Sequence, residues 1–241
     1  MITVQDAQQC MEKVRQIVNG KRDIFDLDDL PLNEVVYYDF IYAAMKKSSK
    51  SVPIYLECGV WTGRSMAVAH AARPEAVLIG IDMRPPAKIF DIDQMLRKQT
   101  IYVQGDTRDL LLVQKLKEEL KGNLIDVLFI DSTHDYDTVM KEWDLYFPLM
   151  DLRGIILFDD IAIENQVRTH ISSIGTYSPL DFIRESQDKR ALTDTPESVR
   201  QAFEELKDRH RGWQFEVAET GYDNNPAIGV VYGRKSDESS S

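Results

Sequence analysis

From Pro53 onward the chain alternates short apolar runs with stretches of helical spacing. The runs are "IYLECG", "AVLIGID", "TIYVQGD", "IDVLFID" and "GIILFDD". Continuous apolar strands separated by helical segments are the pattern of a parallel sheet covered on both faces. A doubly wound, Rossmann-like α/β domain is therefore predicted over residues 51–235. Near its end, "GWQFEVAET" and "AIGVVYGRK" are separated only by "GYDNNP", which predicts an antiparallel hairpin. The expected sheet is seven-stranded and mostly parallel, with five helix-linked strands and two in the C-terminal hairpin.

Before the first strand, residues 3–19 place Ala7, Cys10, Met11, Val14, Ile17 and Val18 at helical spacing, with Thr3 and Asp6 as a capping pair and Gly20 as the stop. A second helix is predicted over 33–47, with Val36, Phe40, Ile41, Ala44 and Met45 facing inward. Residues 1–50 thus form an N-terminal helical appendage. It either caps the cofactor or buries its apolar faces in a homodimer; the sequence leaves both open. After the fifth strand, residues 161–195 exceed a simple connection before a helix restarts at "TPESVRQAFEELKDRH", with Thr195 as cap and Pro196 in the first turn. This insertion is expected to be a lid beside the C-terminal edge of the sheet. The tail 236–241, "DESSS" and its leading serine, has nothing to bury and is expected to be disordered.

Composition narrows the function. With 241 residues, 43% of them hydrophobic, the chain can build a large core, and its net charge of -11 disfavours a nucleic-acid partner. No apolar run is long enough to span a bilayer and the N-terminus does not read as an export signal. The two cysteines, Cys10 and Cys58, offer neither a disulfide framework nor a thiolate metal cluster, which fits a cytoplasmic protein.

Ligands of doubly wound sheets sit outside the carboxyl ends of the strands. Each of the first five strands ends in or beside an acid: Glu57, Asp82, Asp106, Asp131, and Asp159 with Asp160. Any one of these could cap a helix or start a turn, but five on one edge point to a site. In "LECGVWTGRS", Gly59 and Gly63 let the backbone approach a ligand and a helix N-terminus follows, yet the dinucleotide fingerprint G-x-G-x-x-G is absent. A pyrophosphate would face Glu57, Asp82 and Asp106 with no lysine in these loops. S-adenosylmethionine carries a sulfonium and an ammonium and no phosphate, and its ribose diol suits Asp82. A nicotinamide oxidoreductase is correspondingly disfavoured.

"YLECGVWTGRSMAVA", "IGIDMRP", "QGDTRDL" and "DVLFIDSTHDYDTVMKEWDLYFPLMDLRGIILFDD", in that order, resemble class I S-adenosylmethionine-dependent methyltransferases. The resemblance is closest to the metal-dependent macrocin-type sugar O-methyltransferases and the cephalosporin-hydroxylase-like group, over roughly residues 50–235. Its most specific part is D-x-x-H-x-Y after the fourth strand with F-D-D after the fifth. The resemblance implies that Glu57, Gly59, Gly63 and Ser65 line the methionine end, that Asp82 holds the ribose, and that Gly105, Asp106 and Thr107 flank the adenine. It further implies that Asp131, Asp159 and Asp160 coordinate magnesium or manganese, with Asp131 bordering the cofactor and His134 as base. Relatives often carry Glu where Asp159 stands, one methylene longer.

An all-oxygen donor set suits magnesium or manganese and not structural zinc. A coordinated hydroxyl loses its proton more readily, and His134 could accept it near neutral pH. The expected acceptor is a small molecule with adjacent oxygens, such as a sugar or natural product, with Tyr136, His170, Tyr177, Phe182 and Arg184 as candidate substrate contacts. His70 and His210 read as ordinary helix residues, and Trp61 and Trp143 as packing aromatics. A related metal-dependent hydroxylase, or a non-catalytic S-adenosylmethionine-binding module, are the rival readings.

Overall fold

A computed structural model of the chain describes residues 36–60, 63–84, 100–161, 196–218 and 227–233. Seven strands form one sheet: β1 (Ile54–Cys58), β2 (Val77–Asp82), β3 (Thr100–Gln104), β4 (Ile125–Ile130), β5 (Met150–Ile161), β6 (Trp213–Ala218) and β7 (Ala227–Gly233). Their order is β3-β2-β1-β4-β5-β7-β6. The first five pair in parallel, while β7 runs antiparallel to β5 and β6. Every predicted strand is present, including the terminal hairpin. Strand order reverses between β1 and β4, which is where such sheets open a ligand crevice.

Among the described residues, five α-helices flank the sheet: α1 (Val36–Lys47), α2 (Arg64–Ala72), α3 (Leu110–Leu120), α4 (Tyr136–Tyr146) and α5 (Pro196–Arg209). Side chains alternate across the sheet with period two, and both faces are apolar. Tyr55, Val127, Phe129 and Leu157 join α1 and α2 in one core. Leu56, Cys58, Leu128, Ile130 and Phe158 join α3, α4 and α5 in the other. This is why β1 and β4 read as uninterrupted apolar runs. Strand β3, at the sheet edge, is half-exposed instead.

Helix α1 covers the second helix expected from the sequence. Phe40, Ile41, Ala44 and Met45 are buried as predicted, but so is every residue from Tyr38 to Met45. It therefore packs into the core beside α2, and its described faces are spent inside the chain. The guanidinium of Arg73 fastens its C-terminal end, donating to the carbonyls of Ser48 at 3.0 Å and Lys50 at 2.6 Å. The first predicted helix, Trp61, the insertion after Ile161 and the tail lie outside the described residues. Among the described residues, no helix is long and apolar enough to cross a membrane.

Candidate functional site

The carboxyl ends of β1, β2, β3 and β4 are locked together by ladder bonds that continue past the strands. Gly59 N donates to Ile81 O, Gly105 N to Asp82 O, and Asp131 N to Cys58 O, each at 2.9 Å. Gly59 has φ +88°, and a Cβ there would stand 1.9 Å from the backbone oxygen of Asp131. A glycine is required so that the β1 turn can lie against the residue that follows β4. Gly63 is the left-handed N-cap residue of α2.

Glu57 sits within β1 rather than at its tip, and is buried. Tyr55 lies two residues earlier on the same face and donates to Glu57 Oε2 at 2.8 Å, while Ser65 of α2 donates to Oε1 at 2.5 Å. Burial pushes the Glu57 carboxyl up to about 8 even though these hydroxyls draw it down. A cationic ligand would relieve that cost. Asp82 ties the neighbouring turn, accepting from Val60 N at 2.9 Å through Oδ2 and from Arg84 N at 2.8 Å through Oδ1. Asp106 is gripped by Arg108 through two contacts, 2.9 Å from Nε and 2.7 Å from Nη2. Thr107 is buried and turns its hydroxyl inward to Glu142 of α4, at 2.5 Å.

The acid cluster "DSTHDYD" divides by function. Asp135 is the N-cap of α4, accepting from Thr138 N at 2.9 Å and Thr133 Oγ1 at 2.7 Å. Asp137 is an exposed residue of the first turn. Asp131 and His134 instead face the end of β5. A ligand atom from each of Asp131, His134 and Asp159 lies within 4.8 Å of the other two. His134 stands between carboxylates, with Nε2 3.5 Å from Asp131 Oδ1 and Nδ1 3.5 Å from Asp160 Oδ2. Strand β5 runs through both acids rather than stopping at them, and its register with β7 breaks between Phe158 and Ile161. There Asp160 adopts φ +54°, a left-handed conformation that an L-residue enters at a cost.

Electrostatics mark this cluster as unsatisfied. Burial, then the charges of Glu57 and Asp160, hold the Asp131 carboxyl well above the usual range. Burial, then Asp131 and Asp160, do the same for Asp159. Crowded acids of this kind are held apart from their preferred charge by one another, and a divalent cation would reverse that balance. Oxygen ligands about 2.1 Å from magnesium stand roughly 3–4 Å apart, so the observed set needs only a small closure. The residues fit a hard divalent ion, with the imidazole as an additional donor or a neighbouring base. Asp159 belongs to the set despite its shorter side chain, and His134 stands in it where the resemblance implies Asp160.

Other sequence-predicted residues lie elsewhere. Tyr136 donates its hydroxyl to Glu205 and braces α4 against α5. His210 follows the last residue of α5 instead of lying within the helix, and its Nε2 accepts from Trp143 Nε1 at 3.0 Å. Trp143 is a packing aromatic, as expected, stacked on Phe147 with centroids 4.4 Å apart. His170, Tyr177, Phe182 and Arg184 lie outside the described residues. Sequence reasoning missed Tyr55 and Glu142. The period-two placement of Tyr55 beside Glu57 could have revealed the first, and the spacing of Thr138, Glu142 and Tyr146 the second.

Residues 56–161 match the family model described as "Methyltransferase domain". An uncharacterised protein of Acanthamoeba polyphaga mimivirus is 28% identical over 151 residues, which are 53% of this chain and 64% of that protein. The chain thus spans less than two thirds of that relative. An O-methyltransferase from Bacillus cereus, solved with S-adenosylhomocysteine, superposes with a TM-score of 0.58 at 15% identity, covering 94% of this chain and 91% of that one. MycE, a methyltransferase of the mycinamycin biosynthetic pathway solved with Mg and S-adenosylhomocysteine, superposes with a TM-score of 0.51 at 14% identity, covering 84% of this chain and 50% of that one. Residues 56–161 are thus similar to a methyltransferase domain, and the chain has the fold of O-methyltransferases solved with S-adenosylhomocysteine.

Proposed function

We propose that this chain is a divalent-metal-dependent O-methyltransferase that moves a methyl group from S-adenosylmethionine to a hydroxyl of a small molecule with adjacent oxygens. The observation that carries this reading is the convergence of Asp131, His134 and Asp159 at the strand ends, beside the turn that Gly59 presses against Asp131. Glu57 and Ser65 are on the adjoining strand and helix, where a buried carboxyl would meet the ammonium of the donor. On this reading Asp82 would meet the ribose, and Gly105 with Asp106 the adenine. The MycE structure holds Mg and S-adenosylhomocysteine in the same fold, which supports magnesium as the ion, and its place in a biosynthetic pathway suits a sugar or natural product as the acceptor class.

S-adenosylmethionine would supply the electrophilic methyl group, and Asp131 and Asp159 would hold a divalent ion whose Lewis acidity would acidify the acceptor hydroxyl. The chain's own work is to bind, orient and take a proton. His134, held between Asp131 and Asp160, would accept that proton on an imidazole nitrogen. Base catalysis is commonly worth about 100-fold to 10,000-fold, so His134→Ala should lose most turnover while retaining cofactor. His170, Tyr177, Phe182 and Arg184 are proposed as acceptor contacts on their sequence position alone. The test is calorimetry with S-adenosylhomocysteine and manganese, then mass spectrometry for methylated product from polyhydroxylated acceptors. Failure to bind the cofactor overturns the proposal; binding without any product would favour a non-catalytic module.

A further inference from the structure

One face of α4 holds both turns of the site, and its centre is a buried acid. Thr138, Glu142 and Tyr146 recur at four-residue spacing on that helix, so they share a face. All three reach the turn after β3: Arg108 Nη1 donates to Thr138 Oγ1 at 3.4 Å, Thr107 Oγ1 to Glu142 Oε1 at 2.5 Å, and Tyr146 OH to Thr107 O at 2.7 Å. Glu142 Oε1 accepts a second hydroxyl, that of Ser132, also at 2.5 Å. Ser132 directly follows Asp131. The Glu142 side chain is completely buried, and its Oε2 has no hydrogen-bond partner among the described residues. One oxygen therefore joins the two turns directly through hydrogen bonds, beside the charge attraction between Arg108 of the first turn and Asp135 of the second.

A buried carboxyl is costly to keep in a core, and a leucine at this position of α4 would fill the same space with no such cost. What only an acceptor supplies is a common anchor for two hydroxyls arriving from different loops. We propose that Glu142 is a positioning residue that holds the turn after β3 and the turn after β4 in one arrangement, so that the adenine side of the cofactor site and the Asp131–His134 cluster are set together. The structural part stands on these contacts alone; its consequence for cofactor binding rests on the proposed function.

The proposal is tested on the full chain by hydrogen exchange read by mass spectrometry, in Glu142→Ala, Glu142→Gln, Thr107→Val and Ser132→Ala. Glu142→Ala strands one buried and one partly buried hydroxyl and should raise exchange about tenfold in both segments, 105–109 and 131–135, with little change in β1 or β4. Glu142→Gln keeps an oxygen acceptor and should restore both segments. Thr107→Val should loosen 131–135 although it lies in the other turn. The S-adenosylhomocysteine dissociation constant should rise about tenfold in Glu142→Ala and return near wild type in Glu142→Gln. Should Glu142→Ala fail to fold, Thr107→Val and Ser132→Ala decide the matter by their cross-effects. Loosening confined to the turn that carries each substitution, or exchange that rises evenly through α4, overturns the proposal. If the wild-type chain binds no S-adenosylhomocysteine, the cofactor reading falls while the exchange data still judge the anchor.

Discussion

Replacing Gly59 with alanine probes the junction on which the site is built. The added Cβ would meet Asp131 O at 1.9 Å, with Asp131 C and Ser132 Cα at 2.6 Å. A comfortable carbon–oxygen contact is roughly 3.4 Å, so the turn after β1 and the start of the turn after β4 must part by about 1.5 Å. That movement strains the bonds Gly59 N to Ile81 O and Asp131 N to Cys58 O, each with a net worth of about 1 kcal/mol. Overpacking adds about 1–3 kcal/mol, and the positive φ adds about 1–2 kcal/mol for any L-residue. With both bonds lost the total is roughly 4–7 kcal/mol, a large part of a typical domain's stability of about 5–15 kcal/mol. Gly122 supplies the control, because it has φ +85° and nothing within 4 Å of an added Cβ. Gly122→Ala should cost only the backbone term, about 1–2 kcal/mol. Urea denaturation followed by circular dichroism measures both. The reasoning predicts that Gly59→Ala loses at least about 2 kcal/mol more than Gly122→Ala; equal midpoints for the two variants would refute it.

Three further outcomes follow from the same geometry. Burial raises the Glu57 carboxyl to about 8 from 4.5, so the folded state holds this proton more tightly than the unfolded chain. Its contribution is complete below about 4.5 and is lost as pH rises toward about 8; thermal melts should show Glu57→Gln flattening that decline, by an amount on the order of 2–4 kcal/mol at the alkaline end. His210 is shifted the other way, lowered by burial and then by Arg209, and accepts from Trp143 only when neutral. Its contribution is present above the ordinary histidine range and is lost as pH falls through the depressed value, so the stability advantage of the wild type over His210→Gln should shrink with falling pH by on the order of 1 kcal/mol, read as the difference between the two proteins' melts. Asp160→Asn keeps a residue that tolerates φ +54° and removes one charge from the carboxylate cluster. It should leave metal-free stability equal or higher by about 1 kcal/mol while weakening manganese binding about tenfold, read by melts and by titration.

The strands were legible because parallel strands buried on both faces must be apolar at every position, as "VLFI" in β4 is. The edge of acids was legible because strand ends in this fold gather at one rim. What each acid does there was not, since that depends on partners far along the chain. Asp131, His134, Asp135 and Asp137 are neighbours in sequence, yet only the first two face β5; Asp135 caps a helix and Asp137 meets solvent. Glu142 was silent because its two donors come from Thr107 and Ser132, 35 and 10 residues away. The left-handed backbone of Asp160 likewise follows from the break in register between β5 and β7 and not from any local turn signal.

Manganese binding in the presence of saturating S-adenosylhomocysteine, read from the loss of the free-ion signal in electron paramagnetic resonance, tests the central claim most directly. The account predicts one tightly bound ion per chain, with Asp131→Asn and Asp159→Asn each lowering affinity at least about tenfold. A free-ion signal unaffected by the wild-type protein, or bound manganese indifferent to both substitutions, would contradict it.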